Sequence, residues 1–300
     1  MSKDRTLVSF DWAAKNLLRR KANYVILEGF LTTLLGKKIT IRNIGDSEGN
    51  KAAEDQKYNR VDISAEEQDG TLIIIELQFT PEIDYFHRMT FGSSKAITDH
   101  LEEGMPYSQV RKVYSINIVY FDLGVGKDYI YHGTTSFKGL HYRDELELSP
   151  SQKTEFGILE VKDIYPEYYL LKIDRFSNDV KDKIDEWMFF FKNSSIKPEF
   201  DAPGLAEANE CLKYNRLSPE DQRIYDKYVD IRRSNNSTIY TAKLEGRLEG
   251  KAEGRAEGKA EGILQVAKKM KAEGVDIDVI SKVTGLSANE LSSVSSELTL

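Results

Sequence analysis

The sequence predicts a mixed α/β core of about 175 residues followed by a helical extension. Three observations carry this prediction. Apolar residues recur at helical spacing near the start, β-rich runs of alternating character fill the middle, and the last third reads as helix with a four-residue repeat inside it. At 300 residues with 40% hydrophobic content the chain can bury a sizeable core, and 30% charged residues mark it as soluble.

Between Phe10 and Leu35, Leu17, Leu18, Val25, Ile26, Phe30, Leu34 and Leu35 recur at helical spacing, which predicts helix ending at Gly36. Residues 44–57 are polar and turn-rich and read as a loop. Strands are expected over 58–65 and 71–79, joined by the turn signal Glu67-Gln68-Asp69-Gly70. Pro81 closes the second strand, and Ile83, Phe86, Met89, Phe91 and Ile97 return to helical spacing over 82–103. Strand character resumes over 113–123, 127–137 and 157–174, after which three helical stretches lead to the repeat.

Composition excludes several function classes. Cys211 is the only cysteine, so neither an intrachain disulfide nor a cysteine-based zinc cage can form, and a cytoplasmic location is expected. No run approaches the roughly 18 apolar residues of a membrane span, and no apolar leader precedes the first helix. A net charge of -7 argues against a histone-like binder driven by bulk charge, although residues 1–36 hold six bases against three acids and 44–69 hold eight acids against three bases. His87, His100, His132 and His141 have no zinc-ligand spacing, and neither a Walker motif nor a GxSxG elbow is present.

The chemistry concentrates in Arg60-Val61-Asp62-Ile63 and Thr71 to Phe79. Alternation puts Ile73, Ile75, Leu77 and Phe79 on one face of the second strand and Leu72, Ile74, Glu76 and Gln78 on the other. A three-residue connection at 68–70 pairs Glu67 with Thr71 and brings Asp62 opposite Glu76. Two carboxylates with Cβ atoms about 5 Å apart on one side of a hairpin repel each other. A hard divalent cation such as Mg2+, bound through oxygen ligands, converts that repulsion into a site, whereas a solvent-exposed hairpin face would merely hydrate it.

Asp62, thirteen residues, then Glu76-Leu77-Gln78 resembles the signature of the PD-(D/E)xK nuclease superfamily, with Gln78 at its lysine position. The stretches FDWAAKNLLRRKANYVILEGFL, NRVDI and IIIELQF are similar, more closely, to the recombination-promoting nuclease and putative transposase family within it. The resemblance implies a restriction-endonuclease-like mixed sheet flanked by helices, with a helical C-terminal extension. It further implies a Mg2+-dependent (alternatively Mn2+-dependent) endonuclease acting on DNA, with Asp62 and Glu76 as metal ligands, and the Leu77 carbonyl and Glu28 as further ligands. Gln78 departs from the pattern, because an amide neither accepts a proton at neutral pH nor carries charge. It can orient the attacking water, which leaves the general base unassigned and keeps open a catalytically weak DNA-binding or oligomeric scaffold. A strand-transfer transposase is a further alternative.

Lys15, Arg19, Arg20 and Lys21 near the first helix, and Arg88 and Lys95 after Gln78, frame the carboxylates as candidate phosphate contacts, although each alone reads as an ordinary solvated charge. The chain divides on this reading into a nuclease-like core (1–175), a helical region (176–242), a repeat (243–262) and a terminal helical segment (263–300). The repeat holds five copies of a Lys/Arg-x-Glu-Gly unit. In a helix its glycines drift by about 40° per copy, which suits close packing of a second copy with a right-handed crossing. A flexible charged linker is the other reading. The last segment outlines two short helices around Thr284 to Ser287, with Ser287 as N-cap, and resembles a helix-turn-helix. Its second helix has no Lys or Arg, so packing within a homo-oligomer competes with DNA reading as its role.

Overall fold

A computed structural model of the chain describes residues 7–45 and 62–293. The described residues fall into two compact units, one ending at Tyr225 and one beginning at Asp226. The first unit is a six-stranded mixed sheet flanked by helices. Its elements are α1 (Phe10–Asn16), α2 (Tyr24–Leu35), β1 (Ile41–Gly45), β2 (Ile63–Glu67), β3 (Leu72–Gln78), α3 (Tyr85–Asp99), β4 (Val113–Val119), β5 (Ile130–Gly133), α4 (Pro150–Phe156), β6 (Glu167–Lys172), α5 (Lys183–Asn193) and α6 (Leu205–Cys211). Helix α7 (Pro219–Ala272) crosses the boundary, and α8 (Ile277–Thr284) and α9 (Ala288–Ser293) complete the second unit.

The strands run in the order β1-β2-β3-β4-β6-β5. Strands β1, β2 and β3 are antiparallel, β3, β4 and β6 are parallel, and β5 returns antiparallel on β6. The expected β2–β3 hairpin forms in the expected register: Ile63 faces Ile75, and the Glu67 N–H donates to the Thr71 carbonyl at 2.9 Å. That register, continued by one residue, puts Asp62 opposite Glu76. The alternative of a solvent-exposed hairpin face does not hold. The parallel partner β4 covers the other edge of β3, so six of its seven residues are buried, Glu76 among them.

The connection from β3 to β4 is a crossover through α3, which lies on the face bearing Leu72 and Ile74. Ala96 of α3 packs with Leu72, Ile74 and Val113, while Tyr85 and Met89 pack with Val119, Phe121 and Leu170. On the opposite face Ile73, Ile75, Ile116, Ile118 and Leu171 are fully buried. Phe10, Phe30, Trp187, Phe190 and Phe191 form an aromatic cluster with ring centroids 4.4–6.4 Å apart, tying α1 and α2 to α5. Helix α5 therefore packs with the first helices although it lies beyond residue 175.

Two local expectations change. The helical pattern from Phe10 to Leu35 is interrupted after Asn16: the Leu17 and Leu18 N–H groups both turn onto the Ala13 carbonyl, and the chain restarts at Tyr24. Its end is as expected, with Gly36 in the left-handed region at φ 66°. Strand β1 was not read from the sequence, and it occupies Ile41–Gly45 where the loop was expected to begin at residue 44. Of that loop and of the strand expected over 58–65, residues 46–61 lie outside the described residues.

The second unit holds a small core of Ala267, Ile280 and Leu291, with Met270, Val275 and Leu286 packed against it. Ser287 caps α9 as expected, its hydroxyl accepting from the Glu290 N–H at 3.3 Å while the Glu290 carboxylate accepts from the Ser287 N–H at 2.8 Å. Residues 243–262 lie within α7 and are all exposed. Among the described residues no helix is long and apolar enough to cross a membrane.

Two contacts generate stability predictions. Gly29 of α2 meets the turn before α6 so closely that a Cβ there would lie 2.3 Å from the Pro203 carbonyl oxygen. Gly29→Ala is expected to destabilise the first unit by about 1–3 kcal/mol or more, read as a lower midpoint in urea denaturation. Glu167 is buried and accepts from Lys112 Nζ and His132 Nε2, each at 2.7 Å. Burial pushes its carboxyl up, and these two partners more than offset that, holding it below the ordinary value of 4.5. A depressed carboxyl stabilises the fold above its unfolded value and loses that contribution as pH falls through its folded one. Glu167→Gln is therefore expected to cost roughly 1–3 kcal/mol at pH 7, with the difference from wild type shrinking below about pH 4.5 in a series of urea melts.

Candidate functional site

Asp62 stands immediately before β2, level with Glu76 on β3. The Asp62 Oδ2 accepts from the Leu77 N–H at 2.7 Å, so a carboxylate takes over where backbone pairing with β2 stops. The strand geometry also fixes the direction of the Leu77 carbonyl. Leu72 donates to Lys112 on the β4 side and Gln78 accepts from Tyr120, so even-numbered residues of β3 face β4. Leu77 faces the other way, and its carbonyl points to the same side as its N–H, toward Asp62.

Glu76 is 7% exposed. Its Oε2 accepts from Arg88 Nε of α3 at 3.0 Å, and Gly92, one turn further along α3, packs beside Oε1, where a Cβ would stand 3.4 Å from that oxygen. Burial raises the Glu76 carboxyl above the ordinary value, the Arg88 guanidinium opposes that rise, and the negative charges of Asp62 and Glu82 add to it. The neighbouring β4 position is Asn117, which is buried and accepts from the Tyr85 hydroxyl at 3.2 Å while donating to Ser115 Oγ at 3.0 Å. Burial and the nearby Glu76 charge push the Tyr85 hydroxyl well up, so it remains a neutral donor.

Gln78 does not stand free. Its Nε2 donates to Glu82 Oε1 at 2.5 Å and to the Thr80 carbonyl at 3.3 Å. Glu82 also accepts from Arg88 Nη1 at 3.1 and 3.3 Å. Glu82 was missed from the sequence, where it stood only as a helix start after Pro81. Its relation to Gln78 and Arg88 depends on the turn over 79–84, which no residue spacing encodes.

Of the candidate basic residues, Lys15 and Arg19 are brought to Asp62. Lys15 Nζ lies 2.9 Å from Oδ1, and Arg19 Nη2 donates to the Asp62 carbonyl at 2.6 Å. Arg88 is on Glu76 and Glu82. Arg20 pairs with Asp221 at 3.5 Å, Lys95 pairs with Asp99 on its own helix, and Lys21 is exposed in the turn before α2. Glu28 is not brought to the pair. Its Oε1 accepts from the Ile41 N–H at 2.8 Å, and Ile41 faces Glu67, at the end of β2 away from Asp62.

A cation would therefore draw on hard oxygen donors of limited number. Among the described residues no group of three or more His, Cys, Asp or Glu side chains is gathered to hold a metal ion. Two neighbouring carboxylates and a strand carbonyl are donors of the kind an oxygen-seeking divalent ion uses, with water filling its remaining positions. The donor set is of the right chemistry, and both carboxylates already attract positive charge.

A mixed six-stranded sheet flanked by helices, with a long C-terminal helix, is the restriction-endonuclease-like α/β class. Within that class the chain belongs to the PD-(D/E)XK nuclease family transposase family, whose model matches residues 8–242. Residues 260–296 match the C-terminal HTH domain of the Rpn/YhgA-like nuclease family. Comparison with curated proteins and with solved structures returned no match. Family membership supports a nuclease-type, recombination-associated role, and nucleases of this kind generally use divalent metals.

Proposed function

We propose that the chain is a DNA endonuclease of recombination or mobile DNA that depends on Mg2+ or Mn2+, and that Asp62, Glu76 and the Leu77 carbonyl hold the cation. The observation that carries this reading is the 2.7 Å bond from the Leu77 N–H to Asp62, which locks one carboxylate onto the strand that bears the other. Bound there, a divalent ion would supply Lewis acidity toward a phosphodiester oxygen. The chain's own residues orient the DNA around it. Lys15 and Arg19, from the first helix and its following turn, and Arg88 from α3 pair with the two acidic residues and serve as phosphate contacts, and Arg20, Lys21 and Lys95, which do not reach the pair, are further candidates for the DNA backbone. Glu28 anchors β1 and is left out of the ligand set. The single thiol of Cys211 accords with a cytoplasmic setting.

The Gln78 amide engages Glu82 and Thr80, so it can orient a water but offers no base. This observation favours a second reading, a catalytically weak DNA-binding scaffold; a strand-transfer activity is an outcome of the same assay. Plasmid nicking separates them. Asp62→Ala and Glu76→Ala are each expected to lose about 100-fold or more of a Mg2+-dependent nicking rate. Equal nicking by all three proteins removes the site, full activity in EDTA removes the metal, and joined rather than cut products identify strand transfer.

The repeat in α7 supports self-association. Nothing lies within 4 Å of a Cβ placed at Gly246, Gly250, Gly254, Gly258 or Gly262, and like charges recur four apart along the helix, which is unfavourable for it alone. A second copy packed on the glycine stripe would bring opposite charge rows together. Deleting residues 243–300 is expected to halve the particle mass or reduce it further by light scattering, and an unchanged oligomer size would rule the repeat out as the contact.

A further inference from the structure

The two candidate carboxylates already hold cations, and they hold them differently. Lys15 reaches Asp62 with a single ammonium on a side chain 49% exposed. Arg88 is 26% exposed and is anchored twice, through Nε to Glu76 at 3.0 Å and through Nη1 to Glu82 at 3.1 Å. Glu82 is fixed in turn by Gln78 at 2.5 Å. Glu76, Arg88, Glu82 and Gln78 therefore form one polar chain that begins and ends within the Glu76-Leu77-Gln78 segment. The guanidinium occupies Glu76 Oε2, and two cations on one carboxylate repel each other. Because the planar fork offers separate donors, one end can let go while the other stays on Glu82.

We infer that Arg88 is a resident counter-cation of this site: it holds Glu76 until a divalent ion takes that oxygen, and Glu82 then keeps the released guanidinium beside the carboxylates. The inference rests on the reading of Asp62 and Glu76 as cation ligands. Arg88 is in this role a positioning residue, and it makes cation binding a competition. The carboxylates alone would bind the ion more tightly than the intact site does, and the bracket made by Glu82 and Gln78 leaves a positive charge next to the scissile phosphate at the moment the ion is in place. Gln78 contributes by fixing Glu82, so the motif position that lacks a lysine secures a cation delivered from α3.

The test is calorimetric titration of Mn2+ into the full chain without DNA, comparing wild type, Arg88→Gln, Arg88→Lys and Asp62→Asn, with thermal melts to verify folding. Arg88→Gln is expected to bind Mn2+ about tenfold more tightly, the scale of one partly buried ion pair removed from competition. Arg88→Lys keeps the charge but not the fork and is expected to fall between, while Asp62→Asn binds more weakly than wild type. If wild type binds and Asp62→Asn is weakened, unchanged or weaker binding by Arg88→Gln overturns the counter-cation role and leaves the cation site standing. Should Arg88→Gln fail to fold, Arg88→Lys carries the test, and an affinity at or below that of wild type overturns the role. Absence of Mn2+ binding to wild type and Arg88→Gln alike overturns both readings.

Discussion

The structure around the site depends on one buried carboxylate. Glu76 sits on β3, a strand paired on both edges and covered on both faces, where an ionised group is costly unless it is compensated. Arg88 provides the compensation, and it can do so only because the crossover from β3 to β4 lays α3 on the face that Glu76 shares with Leu72 and Ile74. Asn117 and Tyr85 satisfy each other beside it. The helix that closes the hydrophobic face therefore also supplies the counter-charge.

The sheet joins two kinds of pairing at this point. Its antiparallel half, β1 to β3, brings Asp62 to Glu76 by register, while its parallel half, β3 to β6, makes β3 a central strand and encloses Glu76. The first helix and the turn after it add Lys15 and Arg19 to Asp62. A chain with a net charge of -7 thus concentrates bases and acids in one place as matched pairs. The acidity of the carboxylate pair is locally neutralised by these charge-assisted contacts.

The C-terminal unit rests on different physics. Its core is small, and α7 runs through the repeat with fully exposed residues, glycines that a helix tolerates at about 1 kcal/mol each, and like charges at every fourth position. Gly274 after α7 and Gly285 after α8 adopt positive φ, and Ser287 and Glu290 cap the start of α9, features of local chemistry that need no partner.

By itself the sequence determined the elements whose causes are local. Alternation and the Glu67 to Gly70 turn set the β2–β3 register, so Asp62 and Glu76 could be paired on paper; Gly36 and Ser287 marked helix ends by conformation and capping. Resemblance in the Asp62 and Glu76-Leu77-Gln78 motif led to the family. Tertiary structure alone decided what depends on residues distant in the chain: that β4 pairs with β3 and buries Glu76, that β1 adds an edge strand, that Glu28 serves Ile41, and that Glu82 and Arg88 close around Gln78. Residue spacing encodes periodicity along one element. The direction in which a turn returns the chain, and hence which charge meets which, is set by the packing of whole elements against one another.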